Sequence, residues 1–366
     1  MKDLKFFSEV PYNIENYLDS LKTNVQFEYK PVTKGLTKSG NRLKLGFSNY
    51  GLKLNYMLGN TINNPQIKDW ANYINSYQKK TDRFTNFSYV DDGMIKGYKN
   101  LGLNNEVKYV VKSISNNLLN KSFYSKEVAL NNAINAETKQ SISTLYQVGQ
   151  KNKYKLENRF NEFNDVETYL DSLDWSKPWS AGAQYSSICV YSVTQKFEFE
   201  DMLYKYLSKI IDSDTGSYFN YKPTSSREII NGAMKVITGL DWLSFPIHKP
   251  EKLIDFCLRN IPIDEGCDIV DFVYVLFKCS KETSYRKKEI NEIFSLILSQ
   301  LSRLYVNHEG AFSYFINKSQ SYYYGVKISD GRNVADLHGT LLSLWAIFMI
   351  MDNMEMLESN FRIIKP

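Results

Sequence analysis

Histidine and cysteine are scarce in this chain, with 3 His and 4 Cys among 366 residues. Cys189, Cys257, Cys267 and Cys279 stand within or beside apolar helical stretches and lack the close paired spacing of a zinc ribbon. They read as reduced, buried thiols, and neither a metal nor another cofactor is expected. The longest clean apolar run falls far short of the roughly 20 residues that a bilayer demands, so no transmembrane segment is expected. The first residues, Met-Lys-Asp-Leu-Lys-Phe-Phe-Ser-Glu, lack an apolar core of signal-peptide length, which makes the cytoplasm the expected location. Basic runs are missing too: the net charge of +5 is spread along the chain, and a nucleic-acid groove is not supported. No segment carries the alternating pattern of a strand.

What is present is ordinary globular material with one excess. Hydrophobic residues at 43% and charged residues at 23% exclude disordered and collagen-like classes. The excess is aromatic, 14% of the chain with 27 Tyr, and a ring with a polar tip suits the half-wet wall of a ligand cavity. Compositional drift toward Tyr, Lys and Asn is the plainer reading of the same numbers.

Periodicity predicts an all-α protein. Helices are expected at 14–21, 43–58, from Pro65 to about Gln78, 107–119, 125–148, after a capping pair Asn164/Glu167, 180–193, 199–211, from Ser225/Glu228 to Leu240, after Pro250, after a cap at Asp264, and at 285–304. The last helix, within 333–351, is apolar on nearly every side from Leu341 to Met351 but begins with Asp336, His338 and Thr340. Amphipathic helices thus alternate with helices apolar all round, in about six hairpins. Two turns repeat before apolar helices: Asp214-Thr215-Gly216-Ser217-Tyr218-Phe219 and His308-Glu309-Gly310-Ala311-Phe312-Ser313-Tyr314-Phe315. Repetition implies stacking or ring closure, and the uneven loops favour a closed α/α toroid spanning residues 1–366 as one monomeric domain.

These turns look like the Gly-x-Phe turns of the terpenoid cyclase and protein prenyltransferase superfamily, a double ring of helices. Cys267-Asp268-Ile269-Val270-Asp271-Phe272-Val273 and Asp336-Leu337-His338-Gly339-Thr340 are similar to the zinc-binding helices of prenyltransferase β subunits. Asp271 matches the aspartate of that motif, but Val273 stands in the cysteine's place, Gly339 in the histidine's, and His338 one place early. The Asp-x-Asp-Asp acid motif of squalene-type cyclases is absent. The resemblance therefore implies the toroid and no zinc.

In a toroid the inner-helix starts meet at one end of a funnel. Glu137, Asp268, Asp271, Asp336 and His338 are the candidate catalytic residues, since carboxylates and an imidazole that titrates near neutrality can move protons. Asn333-x-x-Asp336 also reads as a helix cap. Tyr50, Gln184, Asn231, Lys235 and Trp179 are the candidate substrate contacts, with Trp175 and Trp179 as an aromatic lip. Three functions follow: an enzyme using acid–base chemistry on a polar, saccharide substrate; an isoprenoid enzyme with an aspartic acid; and a non-catalytic binding toroid.

Overall fold

The computed structural model describes residues 2–81, 85–99, 126–158, 160, 163–221, 225–262 and 266–366. The expected helix at 107–119, part of the turn after Gln78 and the expected cap at Asp264 lie outside them. Among the described residues there are thirteen α-helices and six strands of two or three residues, so the protein is mostly helical. The helices are α1 (Lys2–Leu21), α2 (Leu45–Met57), α3 (Ile67–Asn75), α4 (Asp92–Lys99), α5 (Lys126–Gln147), α6 (Phe163–Asp171) and α7 (Pro178–Gln195). They continue with α8 (Glu200–Leu207), α9 (Ser226–Leu243), α10 (Pro250–Arg259), α11 (Cys267–Glu282), α12 (Lys287–Ser302) and α13 (Leu337–Asn353). None of them is long and apolar enough to cross a membrane.

The apolar pattern decides where each helix lies. In α3 only Ile67, Trp70, Ala71 and Ile74 are buried, and in α10 only Leu253, Ile254 and Cys257, one stripe in each case. By contrast α2 and α13 bury nearly every residue. The all-round helices pack in sequence: α2 on α5, α5 on α7, α7 on α9, α9 on α11, α11 on α13, and α13 on α2. One-sided helices cover them, α3 on α2, α8 on α7, α10 on α11, α12 on α11 and α13. One hydrophobic cluster runs through the whole set from Phe7 to Ile364.

The α7–α9 pair is the tightest because glycines remove the side chains between the backbones. A Cβ at Gly232 would lie 2.5 Å from Pro178 Cβ, and one at Gly239 would lie 2.7 Å from a Tyr185 ring carbon. Gly182 leaves room for the stem of Lys235, whose Cβ would be 3.0 Å from an added methyl.

Strands are the first departure from expectation. β1 (Gln78–Lys80) pairs with β2 (Phe87–Tyr89), β3 (Tyr305–Val306) with β4 (Ala311–Phe312), and β5 (Tyr322–Tyr323) with β6 (Val326–Lys327), all antiparallel. Such short ladders leave too little alternation to read. Two of them belong to a corner that occurs four times, closed by Lys30 N–H to Leu21 O, Val90 to Tyr77, Phe219 to Ile210 and Ser313 to Leu304, at 2.7 to 2.9 Å. The residue before each donor is a buried aromatic: Tyr29, Tyr89, Tyr218 and Phe312. Gly216 and Gly310 sit three residues before the donor with φ of +74° and +70°, and Phe27 holds the same place at +68°. Only the two glycine corners announce themselves in sequence, since glycine is the residue that signals a left-handed position.

Other boundaries moved for local reasons. α1 starts at Lys2, not Ile14, and continues through Pro11 because Phe7, Val10, Ile14, Tyr17 and Leu21 keep one face buried. The Asn164/Glu167 capping pair does not form; α6 begins at Phe163, and Glu167 pairs with Lys209. Ser225 does cap α9 through Glu228 N–H at 3.2 Å, whereas the Glu228 carboxylate turns away to accept the Trp179 N–H at the start of α7.

Replacing Gly232 with Ala forces a methyl against Pro178 and should destabilise the protein by about 1–3 kcal/mol. Chemical denaturation reads this as a lower midpoint at constant slope; an unchanged midpoint would mean that α7 and α9 separate freely.

Candidate functional site

A two-residue strand aims the first site group. In β5 the pleat alternates, so Tyr322 is 50% exposed while Tyr323 is 3% exposed and points inward. Its hydroxyl donates to Oε1 of Glu137 on α5. Gly46 makes this meeting possible: a Cβ there would lie 2.2 Å from the Tyr323 hydroxyl and 2.7 Å from Glu137 Oε1. The other oxygen, Oε2, is buried and has no partner among the described residues. Burial lifts the Glu137 carboxyl to about 8, and the Asp91 charge adds to the rise; the Tyr323 bond and Lys53 oppose it.

The second group comes from α11. Asp268, in its first turn, accepts from Arg227 Nε and Asn231 Nδ2, both at 2.8 Å, so it pairs across to α9 instead of capping its own helix. Asp271 follows almost one turn on. Its Oδ2 is buried without a partner among the described residues. Burial raises its pKa to about 6 and Asp268 adds to this, while Lys235 and Arg227 pull it down.

His338 opens α13 with its ring stacked on Tyr50 at 4.7 Å and 14°, and Tyr314 lies 5.2 Å away. Its Nδ1 has no partner among the described residues. The expectation that it titrates near neutrality is corrected here: burial first, then Lys53 and Lys235, push its pKa down to about 3. The ring is therefore neutral at any working pH and can only donate or accept a hydrogen bond.

Asp336 differs from the other carboxyls because all its capacity is spent on backbone. It accepts from Gly339 N–H at 2.7 Å, Tyr314 N–H at 2.7 Å and Gln320 N–H at 3.0 Å, which makes it the N-cap of α13. Burial outweighs those bonds and lifts its pKa to about 6. Asp91 does the same for α2, accepting from Lys44, Leu45 and Gly93.

Lys235 joins the two halves of the cluster, since its charge acts on Asp271, His338, Lys53 and Lys139. Of the candidate residues, Glu137, Asp268, Asp271, His338, Tyr50, Asn231 and Lys235 are tied together by these contacts and fields. Trp179 stands at the edge, its ring 6.0 Å from the Arg227 guanidinium. Gln184 accepts from Tyr169 at 3.4 Å, and no described contact brings it to the cluster. Trp175 is not a lip: it is 1% exposed and its indole donates to Leu170 O at 2.9 Å, inside the core.

Several members went unread in the sequence. Lys53 lies four residues after Asn49 and three after Tyr50, on one face of an otherwise apolar α2, and that spacing was the available signal. Tyr323 gave none, and Tyr314 and Cys267 stood out only as parts of a turn and a helix motif; the Tyr314 hydroxyl lies 2.9 Å from Cys267 Sγ, and burial pushes that thiol up to about 11. Among the described residues no group of three or more His, Cys, Asp or Glu side chains could hold a metal ion.

The two kinds of carboxyl should separate on mutation. Asp336→Ala strands three buried N–H groups and should cost about 2–4 kcal/mol. Asp271→Ala removes a buried, half-unpaired acid and should leave thermal stability unchanged or higher. Equal losses in thermal unfolding would refute the distinction. Glu137→Gln adds a pH test. The folded pKa near 8 lies above the ordinary 4.5, so this group's contribution is complete below 4.5 and lost as pH rises through 8. The stability of wild type relative to Glu137→Gln should fall steadily across that window.

Among known proteins, no family model, curated sequence or solved structure matches this chain.

Proposed function

We propose that the six successive helices close into an α/α toroid, and that its central funnel is an enzyme site acting on a saccharide by acid–base chemistry. The observation that carries this reading is a pair of buried carboxyls, Glu137 and Asp271, each with one bare oxygen and with pKa values of about 8 and about 6. Carboxyls whose surroundings push their pKa values apart are suited to divide the roles of acid and base. At neutral pH Glu137 keeps its proton, and with Oε1 occupied by Tyr323 the proton is left for Oε2 to deliver to a departing oxygen. Asp271 is ionised at the same pH and accepts a proton from water or from a sugar carbon. The Tyr50–His338 stack and Tyr314 offer aromatic faces for a sugar ring, and the bare Nδ1 of His338 offers a hydrogen-bond acceptor or donor.

The isoprenoid reading is weaker on physical grounds. A carbocation would form beside Lys53 and Lys235, whose charges oppose it. A binder without chemistry has no use for two buried carboxyls of which one is protonated and the other ionised at neutral pH.

The test is a panel of polysaccharides and oligosaccharides assayed for new reducing ends and for absorbance by new double bonds. Turnover should follow a bell-shaped pH profile with limbs near 6 and 8. Glu137→Gln and Asp271→Asn should each slow it by at least about a hundredfold with folding intact. Full activity in both variants would dismiss the assignment.

A further inference from the structure

Three lysines from three helices share the interior with these carboxyls: Lys53 on α2, Lys139 on α5 and Lys235 on α9. Lys53 is only 7% exposed, and Lys139 and Lys235 are half-buried. Lys235 acts electrostatically on Lys53, and both act on Lys139. Among the described residues none of the three forms an ion pair. The acids nearby do not balance them. Asp268 is bound to Arg227 and Asn231, and Glu137 is protonated at neutral pH, which leaves the charge of Asp271 facing the lysines. Gln140, three residues after Glu137 and so on the same side of α5, adds an amide nitrogen that is buried without a partner among the described residues.

We propose that Lys53, Lys139 and Lys235 form an anion site, and that the substrate is an acidic saccharide bound through a carboxylate, sulfate or phosphate group. The saccharide half of this statement rests on the function proposed above; the anion site itself does not. Like charges gathered in a poorly hydrated space repel one another, and among the described residues no ion pair offsets them. An anion would, and each ammonium brings charge-assisted hydrogen bonds to it. Burial depresses Lys53 to about 8 and Lys139 to about 7, as desolvation and mutual repulsion require. A bound anion would restore both toward the ordinary lysine value and hold them protonated.

Calorimetric titration of the full chain tests this with five probes: oligogalacturonate, a heparin oligosaccharide, glucose 1-phosphate, neutral cello-oligosaccharides and inorganic sulfate. One anionic sugar should bind at least about tenfold more tightly than the neutral one, and its identity separates carboxylate from sulfate and phosphate. Lys53→Met, Lys139→Met and Lys235→Met should each weaken that binding about tenfold, while Lys235→Arg keeps most of it. The methionine variants should melt at or above the wild-type temperature, which excludes misfolding as the cause of the loss. Sulfate binding that depends on the lysines, with no sugar bound, would uphold the anion site and remove the saccharide. Neutral sugars binding as tightly as acidic ones, or no anion binding at all, would overturn the proposal; the former leaves the saccharide enzyme standing.

Discussion

The carboxylate of Asp336 is the interaction on which the arrangement depends most. It gathers N–H groups from Gly339, Tyr314 and Gln320, and the Asp336 N–H itself donates to Phe312 O at 3.0 Å while Leu337 N–H donates to Pro31 O at 3.0 Å. One side chain and its backbone thus join the segment after α1, the corner before Tyr314, the long connection to β5 and the start of α13. Everything placed by those four pieces follows from it: His338 against Tyr50, Tyr314 against Cys267, and Tyr323 delivered to Glu137. The groups of the candidate site thus take part of their placement from a single capping residue.

That division explains what the sequence could and could not reveal. Helices were legible because burial imposes a stripe or a fully apolar run, and α13 and α3 show each pattern plainly. The corners were half legible: Gly216 and Gly310 expose two, but Phe27 occupies the same left-handed position and hides a third. Asp336 and Asp271 look alike in sequence, each an acid near the start of an apolar helix. Only the partners separate them: Asp336 is met by N–H groups 3, 16 and 22 residues away, and one oxygen of Asp271 by none among the described residues. Tyr323 was beyond reach for the same reason, since a two-residue strand leaves no pattern and its partner Glu137 lies 186 positions earlier. Lys53 was within reach, because a lone cation on a buried helix face is a departure from every packing rule.

Charge inside this protein is arranged in two economies. Asp91 and Asp336 are saturated by backbone donors and Asp268 is held by Arg227 and Asn231, so all three behave as parts of the frame. Glu137, Asp271, His338 and the three lysines keep unspent capacity, and their pKa values are displaced toward the neutral form in every case where a shift is resolved. A set of groups held near neutrality by burial responds strongly to any ligand that brings charge, because small changes in solvation then change protonation.

The glycine contact between α7 and α9 carries a mechanical consequence. Backbones that meet through Gly182, Gly232 and Gly239 are keyed together, since a small rotation of either helix drives Pro178 or Tyr185 into its neighbour. The pair behaves as one stiff stave. Any breathing must therefore be taken up at the side-chain-filled seams, where α5 meets α2 and α7 and where α13 meets α2 and α11. Lys235 and Asn231 ride on the stave and keep their spacing, while Glu137 and Lys53 sit on the staves that can yield.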